Sequence, residues 1–177
     1  MNHESVNKLT LIKSEINKKI LSLNFNDYFP NIIAVSKTFP LHIIEPLIQN
    51  GHTHFGENKV QEALIKWESI KQKNNLKPKI FLQINIGNEE QKSGVSLNNL
   101  KELYELSVKD FNLNVIGLMC LPPENKDPKE YFSKTKQLND ELKLGQLSMG
   151  MSGDYLKAIE FKSTYLRIGS KIFGERN

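Results

Sequence analysis

The sequence predicts an α/β fold built on parallel strands, and three observations carry that expectation. Short β-branched runs alternate with amphipathic helical segments, six strands are recognisable, and the chain has 177 residues. Alternation implies parallel strands joined by helical crossovers, either as an open doubly wound sheet or as a closed barrel. A barrel of this kind has eight strands and typically ~250 residues, so the chain is short by about two strand–helix units. Its length allows one domain, 1–177, with no room for two large ones.

Each element has a local cause. Leu9, Ile12, Ile16, Ile20 and Leu23 recur at helical spacing with lysines and Glu15 between them, giving an amphipathic first helix. Residues 31–36 form a β-branched run between Pro30 and Pro40, the mark of a buried strand. Leu41, Ile44, Leu47 and Ile48 predict a helix ending at Gly51, short or kinked because Pro46 lies inside it. Residues 52–55 read as a second strand, and Val60, Leu64, Trp67 and Ile70 as the next helix, followed by a polar linker over 71–79. Ile80, Leu82, Ile84 and Ile86 alternate with Phe81, Gln83 and Asn85, the clearest strand in the chain. Ser96 is placed to cap a helix through Leu100, Leu103 and Tyr104, and 115–119 is the fourth strand. Asp127, Pro128 and Glu130 stand in the order a helix start requires, and Gly145 is the expected stop. Residues 147–149 and 165–168 are the last two strands, with a helix from about 154 to 161 between them.

Composition narrows the function classes. Lys+Arg number 24 against 20 Asp+Glu, a net charge of +4, and all but Arg167 and Arg176 of the cations are lysines scattered over the helices. Nucleic-acid binders cluster positive charge and favour arginine, so no nucleic-acid partner is expected. The single cysteine, Cys120, forms no internal disulfide, and the longest apolar run is far below the ~18 residues of a membrane span. The first helix is interrupted by charge and is no signal peptide. These features predict a cytoplasmic protein without a membrane partner.

In parallel α/β folds, chemistry gathers where strands end and loops lead into helices. Four such junctions are suggestive: Lys37 in V-S-K-T, H-F-G-E-N over 54–58, S-M-G-M-S-G-D over 148–154, and R-I-G-S over 167–170. Ser152-Gly153 and Gly169-Ser170 put a hydroxyl and an unhindered backbone at an expected helix start, where free N–H groups bind phosphate. A lone Ser-Gly pair is ordinarily just a cap or a turn, but two at neighbouring strand ends point to a ligand. A lysine at a strand tip is a candidate Schiff-base amine, although a solvated cation is the plainer reading. No G-x-x-x-x-G-K-[ST] or G-x-G-x-x-G is present, and Asp154 stands where a serine-hydrolase elbow needs glycine. His52 and His54 lack a third ligand at metal spacing, and Cys120 reads as a small buried residue.

Seven segments in order then carry a resemblance. They are I-I-A-V-S-K-T (32–38), H-F-G-E-N-K-V-Q-E-A (54–63), F-L-Q-I-N-I (81–86), K-S-G (92–94), G-L-M-C (117–120), L-S-M-G-M-S-G-D (147–154) and R-I-G-S-K-I-F-G-E-R (167–176). From about residue 5 to its end the chain resembles the pyridoxal phosphate homeostasis protein family, whose members look like the isolated barrel domain of alanine racemase. The resemblance implies a TIM-barrel-like parallel α/β barrel and a site for pyridoxal 5'-phosphate (PLP). Lys37 would hold the cofactor as an internal aldimine. Ser152, Gly153, Gly169 and Ser170 would cradle its phosphate, and Arg167 would face the ring nitrogen. Asn58, Asn85, Met119 and Met151 would line the pocket. An arginine at the ring nitrogen keeps it unprotonated and weakens the electron sink, which favours holding the cofactor. The resemblance also implies a regulator of the PLP pool with no settled catalytic reaction, and PLP-dependent apo-enzymes as partners. A PLP-dependent racemase-like enzyme and an incomplete, non-binding remnant are the alternatives.

One departure stands out. Between the helix ending near Lys71 and the strand beginning at Lys79, the family carries roughly fifty more residues, with an H-F-I-G-x-L-Q-x-N-K motif and a strand ending in S-V-D. Two strand–helix units are therefore expected to be absent, leaving about six of eight strands in an incomplete or distorted barrel. Unpaired edges are expected on the second strand and on 80–86. These edges would pair in a narrower barrel, stay open, or be covered by another subunit. A distorted or open barrel is the expectation, with Lys37 and the phosphate residues still close together.

Overall fold

A computed structural model describes residues 3–37, 39–56, 79–110 and 114–174. The expected helix through Val60, Leu64, Trp67 and Ile70 and the linker up to 78 lie outside the described residues. The chain opens with α1 (Glu4–Ser22), whose stripe of Val6, Leu9, Ile12, Ile16 and Ile20 is buried. Strand β1 (Asn31–Val35) follows, then α2 (Leu41–Gln49), nine residues long with Pro46 inside it. Next come β2 (Phe55–Gly56) and β3 (Lys79–Ile84). A 3-10 turn (Leu97–Asn99), α3 (Leu100–Glu105) and a π turn (Leu106–Asp110) lead to β4 (Asn114–Cys120). The order closes with α4 (Pro128–Glu141), β5 (Gln146–Met151), α5 (Tyr155–Glu160), β6 (Tyr165–Ile168) and α6 (Ser170–Phe173).

Asp127 caps α4 as its sequence position suggests, accepting from the N–H of Lys129 with Pro128 in the first turn. Two local expectations are corrected. The helix stops at Glu141, ahead of Gly145, because Lys143 itself takes the left-handed conformation (φ 55°) and turns the chain. Ser96 precedes a 3-10 turn and makes no side-chain cap bond.

The strands form a six-stranded parallel sheet in the order β2-β1-β6-β5-β4-β3. Its outer face supplies Ile32, Ala34, Leu82, Ile84, Leu118, Cys120, Leu147, Met149, Leu166 and Ile168, all buried in the main core with α1 and Phe132 of α4. The inner face carries Ile33, Val35, Phe81, Gln83, Met119, Tyr165 and Arg167, which remain half-buried. The sheet curls toward this inner face. Phe81 on β3 and Tyr165 on β6 have ring centroids 5.2 Å apart although β4 and β5 lie between them. Neighbouring strands are spaced ~4.8 Å apart, so a flat sheet would hold those rings ~14 Å from each other.

The curl does not close. Strands β2 and β3 are the two edges, and among the described residues they do not pair, so the fold is an incomplete, distorted barrel and the narrower barrel does not form. The expectation of a bare edge on 80–86 is corrected in part. Val95 donates its N–H to the Gln83 carbonyl (2.9 Å) and accepts from the Asn85 N–H (2.9 Å), while Gln83 Nε2 donates to the Ser93 carbonyl (2.6 Å). The segment following K-S-G thus folds back on the C-terminal half of β3 and meets its free backbone groups.

Candidate functional site

Parallel pairing of β1 with β6 and of β6 with β5 brings the C-terminal ends of three adjacent strands to one rim. A cleft of about 480 Å³ opens there. Its wall includes Lys37 after β1, Met151, Ser152 and Gly153 after β5, and Arg167, Gly169 and Ser170 on and after β6. Residues separated by more than a hundred positions meet because each crossover returns the chain to the same end of the sheet.

Local features set the rim. A register irregularity in β5 between Ser148 and Met151 re-aims the strand end, with Gly150 at φ +86°. A Cβ at Gly150 would stand 2.7 Å from Ala158 Cβ and 2.9 Å from Tyr155 Cα, so the bulge packs directly on α5. Asp154 Oδ1 accepts from the Met151 N–H (2.6 Å) and pins the turn containing Ser152 and Gly153. Ser152 Oγ in turn accepts from the N–H groups of Gly169 (3.3 Å) and Lys171 (3.5 Å), which joins the two Ser-Gly turns. Phe39 and Phe173, with ring centroids 5.0 Å apart, form an adjacent wall.

The expectation of two helix starts is refined. Helix α5 begins at Tyr155 behind Asp154, and α5 and α6 have only six and four residues. The macrodipole is therefore small, and the recognition chemistry here is that of turn N–H groups and serine hydroxyls.

Arg167 is the electrostatic centre of the cleft. Nη1 donates to the carbonyl (2.6 Å) and hydroxyl (2.8 Å) of Ser148, and Nη2 donates to the Cys120 carbonyl (2.9 Å). These bonds fix the guanidinium against the ends of β5 and β4. Burial lowers its pKa, and no carboxylate forms an ion pair with it among the described residues. A half-buried, partly desolvated cation held by neutral acceptors among the described residues favours an electron-rich ligand group beside it.

The remaining candidates fall elsewhere. Asn85 braces its own loop, donating to the Glu89 carbonyl (2.8 Å) and accepting from the Glu89 N–H (3.0 Å), and does not line the cleft. Met119 sits in register between Gln83 and Ser148 on the half-buried inner face. Asn58 lies outside the described residues. His54, read from the sequence as part of a strand over 52–55 and of the junction 54–58, immediately precedes β2, and its carbonyl accepts from the Ala34 N–H (2.9 Å). Cys120 is buried, and burial pushes its thiol up to about 11, which suits a packing role. The sequence reading missed Ser148 as an anchor of Arg167 and Phe39 as a wall. Ser148 was accessible in principle, since period-two alternation puts it on the inner face of β5.

The donor set fits an aldehyde that also carries an anionic group. It combines an amine at a strand tip, turn N–H groups with two serine hydroxyls, and a half-buried guanidinium that has no carboxylate ion-pair partner among the described residues.

Fold and cleft together define the class of alanine racemase N-terminal domains, and the family model described as "Alanine racemase, N-terminal domain" matches residues 31–177. Within that class, the chain belongs to the pyridoxal phosphate homeostasis protein family. The Aquifex aeolicus protein of that name is 31% identical over 221 aligned positions, covering 96% of this chain and 97% of its own. The human protein of the same name is 31% identical, covering 84% of this chain and 77% of its own. The structure of PipY from Synechococcus elongatus with PLP bound superposes with a TM-score of 0.70 at 25% identity, over 90% of this chain and 100% of that one. The alignment with the Aquifex protein spans 221 positions although this chain has 177 residues, so the relative holds a stretch without counterpart here.

Proposed function

We propose that this protein binds PLP and serves intracellular PLP homeostasis, with Lys37 Nζ as the amine that takes the cofactor aldehyde. Lys37 would hold the cofactor covalently through its amine, for which the cofactor would supply an electrophilic aldehyde. The observation that carries the reading is the meeting of Lys37, the two Ser-Gly turns and Arg167 in a single cleft. Ser152, Gly153, Gly169 and Ser170 are the proposed phosphate contacts. Their N–H and hydroxyl groups suit a dianion without requiring several cations. Arg167 is the proposed partner of the ring nitrogen, since a guanidinium only donates and the nitrogen would accept. Met151 lines the same wall, and Asn85 and Met119 lie outside this set.

When bound, PLP supplies an electrophilic aldehyde and a conjugated ring. The chain's own contribution is to hold it: an amine for the aldehyde, turns for the phosphate, and a fixed cation that keeps the ring nitrogen an acceptor. That arrangement suits storage and delivery, with PLP-dependent apo-enzymes as recipients in the cytoplasm. No helix among the described residues is long and apolar enough to cross a membrane.

The test is spectroscopic. Purified protein mixed with PLP should gain a visible absorption band, and borohydride should convert the complex into a stable adduct that peptide mapping finds on Lys37. Lys37→Ala should lose both signals. Retention of the band in that variant overturns the assignment of Lys37, and absence of a band in the unaltered protein overturns the reading as a whole.

A further inference from the structure

We propose that Glu15, Tyr155 and Lys171 form a strap from α1 that fixes the 169–171 turn, acting as positioning residues for a phosphate-bearing ligand. This rests on the reading of the cleft as a phosphate–aldehyde site. The turn needs an external anchor. Helix α6 spans only Ser170–Phe173, and one helical turn does not hold its own conformation in water. Buried Ile172 and the Phe39–Phe173 contact fix its far end. At the near end, Ser152 Oγ receives the Gly169 and Lys171 N–H groups, but Ser152 itself stands on a turn.

Tyr155 supplies the missing rigidity. It is 2% exposed, it opens α5, and its Cα lies against the Gly150 bulge that leads into Ser152. Its hydroxyl donates to the carboxylate of Glu15 on α1 and accepts from Lys171 Nζ (3.3 Å). Lys171 Nζ also lies 4.9 Å from the Tyr155 ring centroid and 3.6 Å from Glu15 Oε2. One phenol thereby touches the first helix, the bulge before one Ser-Gly turn, and the lysine that follows the other. The Lys171–Glu15 pair is half-exposed and weakened by solvent, so the phenol–carboxylate hydrogen bond is the stronger link. The strap also draws the Lys171 ammonium toward α1.

The test compares two ligands that share an aldehyde and differ in the phosphate. The full chain and Tyr155→Phe are titrated with PLP and with 5'-deoxypyridoxal, following absorbance, with thermal melts of each protein recorded alongside. The strap predicts that Tyr155→Phe weakens PLP binding about tenfold, the scale of one hydrogen bond to a charged partner, while 5'-deoxypyridoxal binding changes less than about twofold. Equal weakening for both ligands, or no change for either, overturns the proposal. Glu15→Gln, at a half-exposed position, provides the same comparison should Tyr155→Phe fail to fold. Failure of the unaltered protein to bind either aldehyde overturns the underlying reading, an outcome distinct from loss of the phosphate preference alone.

Discussion

Gly117 shows how much one residue decides in this sheet. It stands opposite Phe81 on β3 and Gln146 on β5, and a Cβ there would lie 1.9 Å from the Gln146 carbonyl oxygen. Backbone cannot give way as a flexible side chain does, so the strands would have to part. Gly117→Ala is expected to cost at least about 3 kcal/mol, read as a lowered urea midpoint. An unchanged midpoint would contradict this close approach of β4 and β5. Arg167 makes the complementary point. Its place in R-I-G-S is visible in the sequence, but its orientation comes from Ser148 and Cys120, which are 19 and 47 residues away.

Among the elements, α1 carries more weight than its position suggests. The family model begins at residue 31, yet α1 packs against α2, α5 and α6 and supplies a stripe of the core. Its second polar link is an ion-pair network. Glu160 on α5 lies 2.8 Å from Lys129 Nζ of α4 and 2.7 Å from Lys19 Nζ of α1. Lys129 foremost, with Lys19, holds the Glu160 carboxyl below its ordinary 4.5. A depressed folded pKa means that the network's contribution is fully present above about pH 4.5 and is lost as the pH falls through the folded value. Glu160→Gln should therefore lower stability by less than about 1 kcal/mol near neutrality, and the difference should shrink toward zero as the medium is acidified below pH 4.5. Melting both proteins across that range checks it, and a gap that widens in acid would count against the network.

At the scale of the whole molecule, the consequence is an open sheet. A closed barrel buries its inner face in layers, whereas here Phe81, Gln83, Met119 and Tyr165 stay half-buried and β2 and β3 remain edges. Strand pairing is then graded: β6 lies between β1 and β5, while β2 contributes two residues on one side. Amide hydrogen exchange should accordingly be slowest in β6 and β5 and fastest in β2, with the Asn85 amide just past β3 protected better than that of Lys79, because it donates to Val95. Uniform protection across all six strands would mean that the edges are covered.

The sequence by itself determined the alternation of strands and helices, the six strands, and the lysine and Ser-Gly turns at their ends. Those features depend on local periodicity and on glycine, proline and cap positions, which act within a few residues. Strand ends shifted by up to three residues, with 165–168 unchanged, and Gly145 yielded to Lys143 as the helix stop. Asn85 braces its own loop through Glu89 and Met119 stands on the inner face of β4, pairings that the sequence pattern does not state. Only the tertiary structure decided that the curl stops short of closure, that Val95 covers part of an edge, and that Arg167 is anchored to two strand ends. It alone also joined Glu15 to Tyr155. These are contacts between residues remote in sequence, fixed by strand order, register and curvature, and no local preference encodes them.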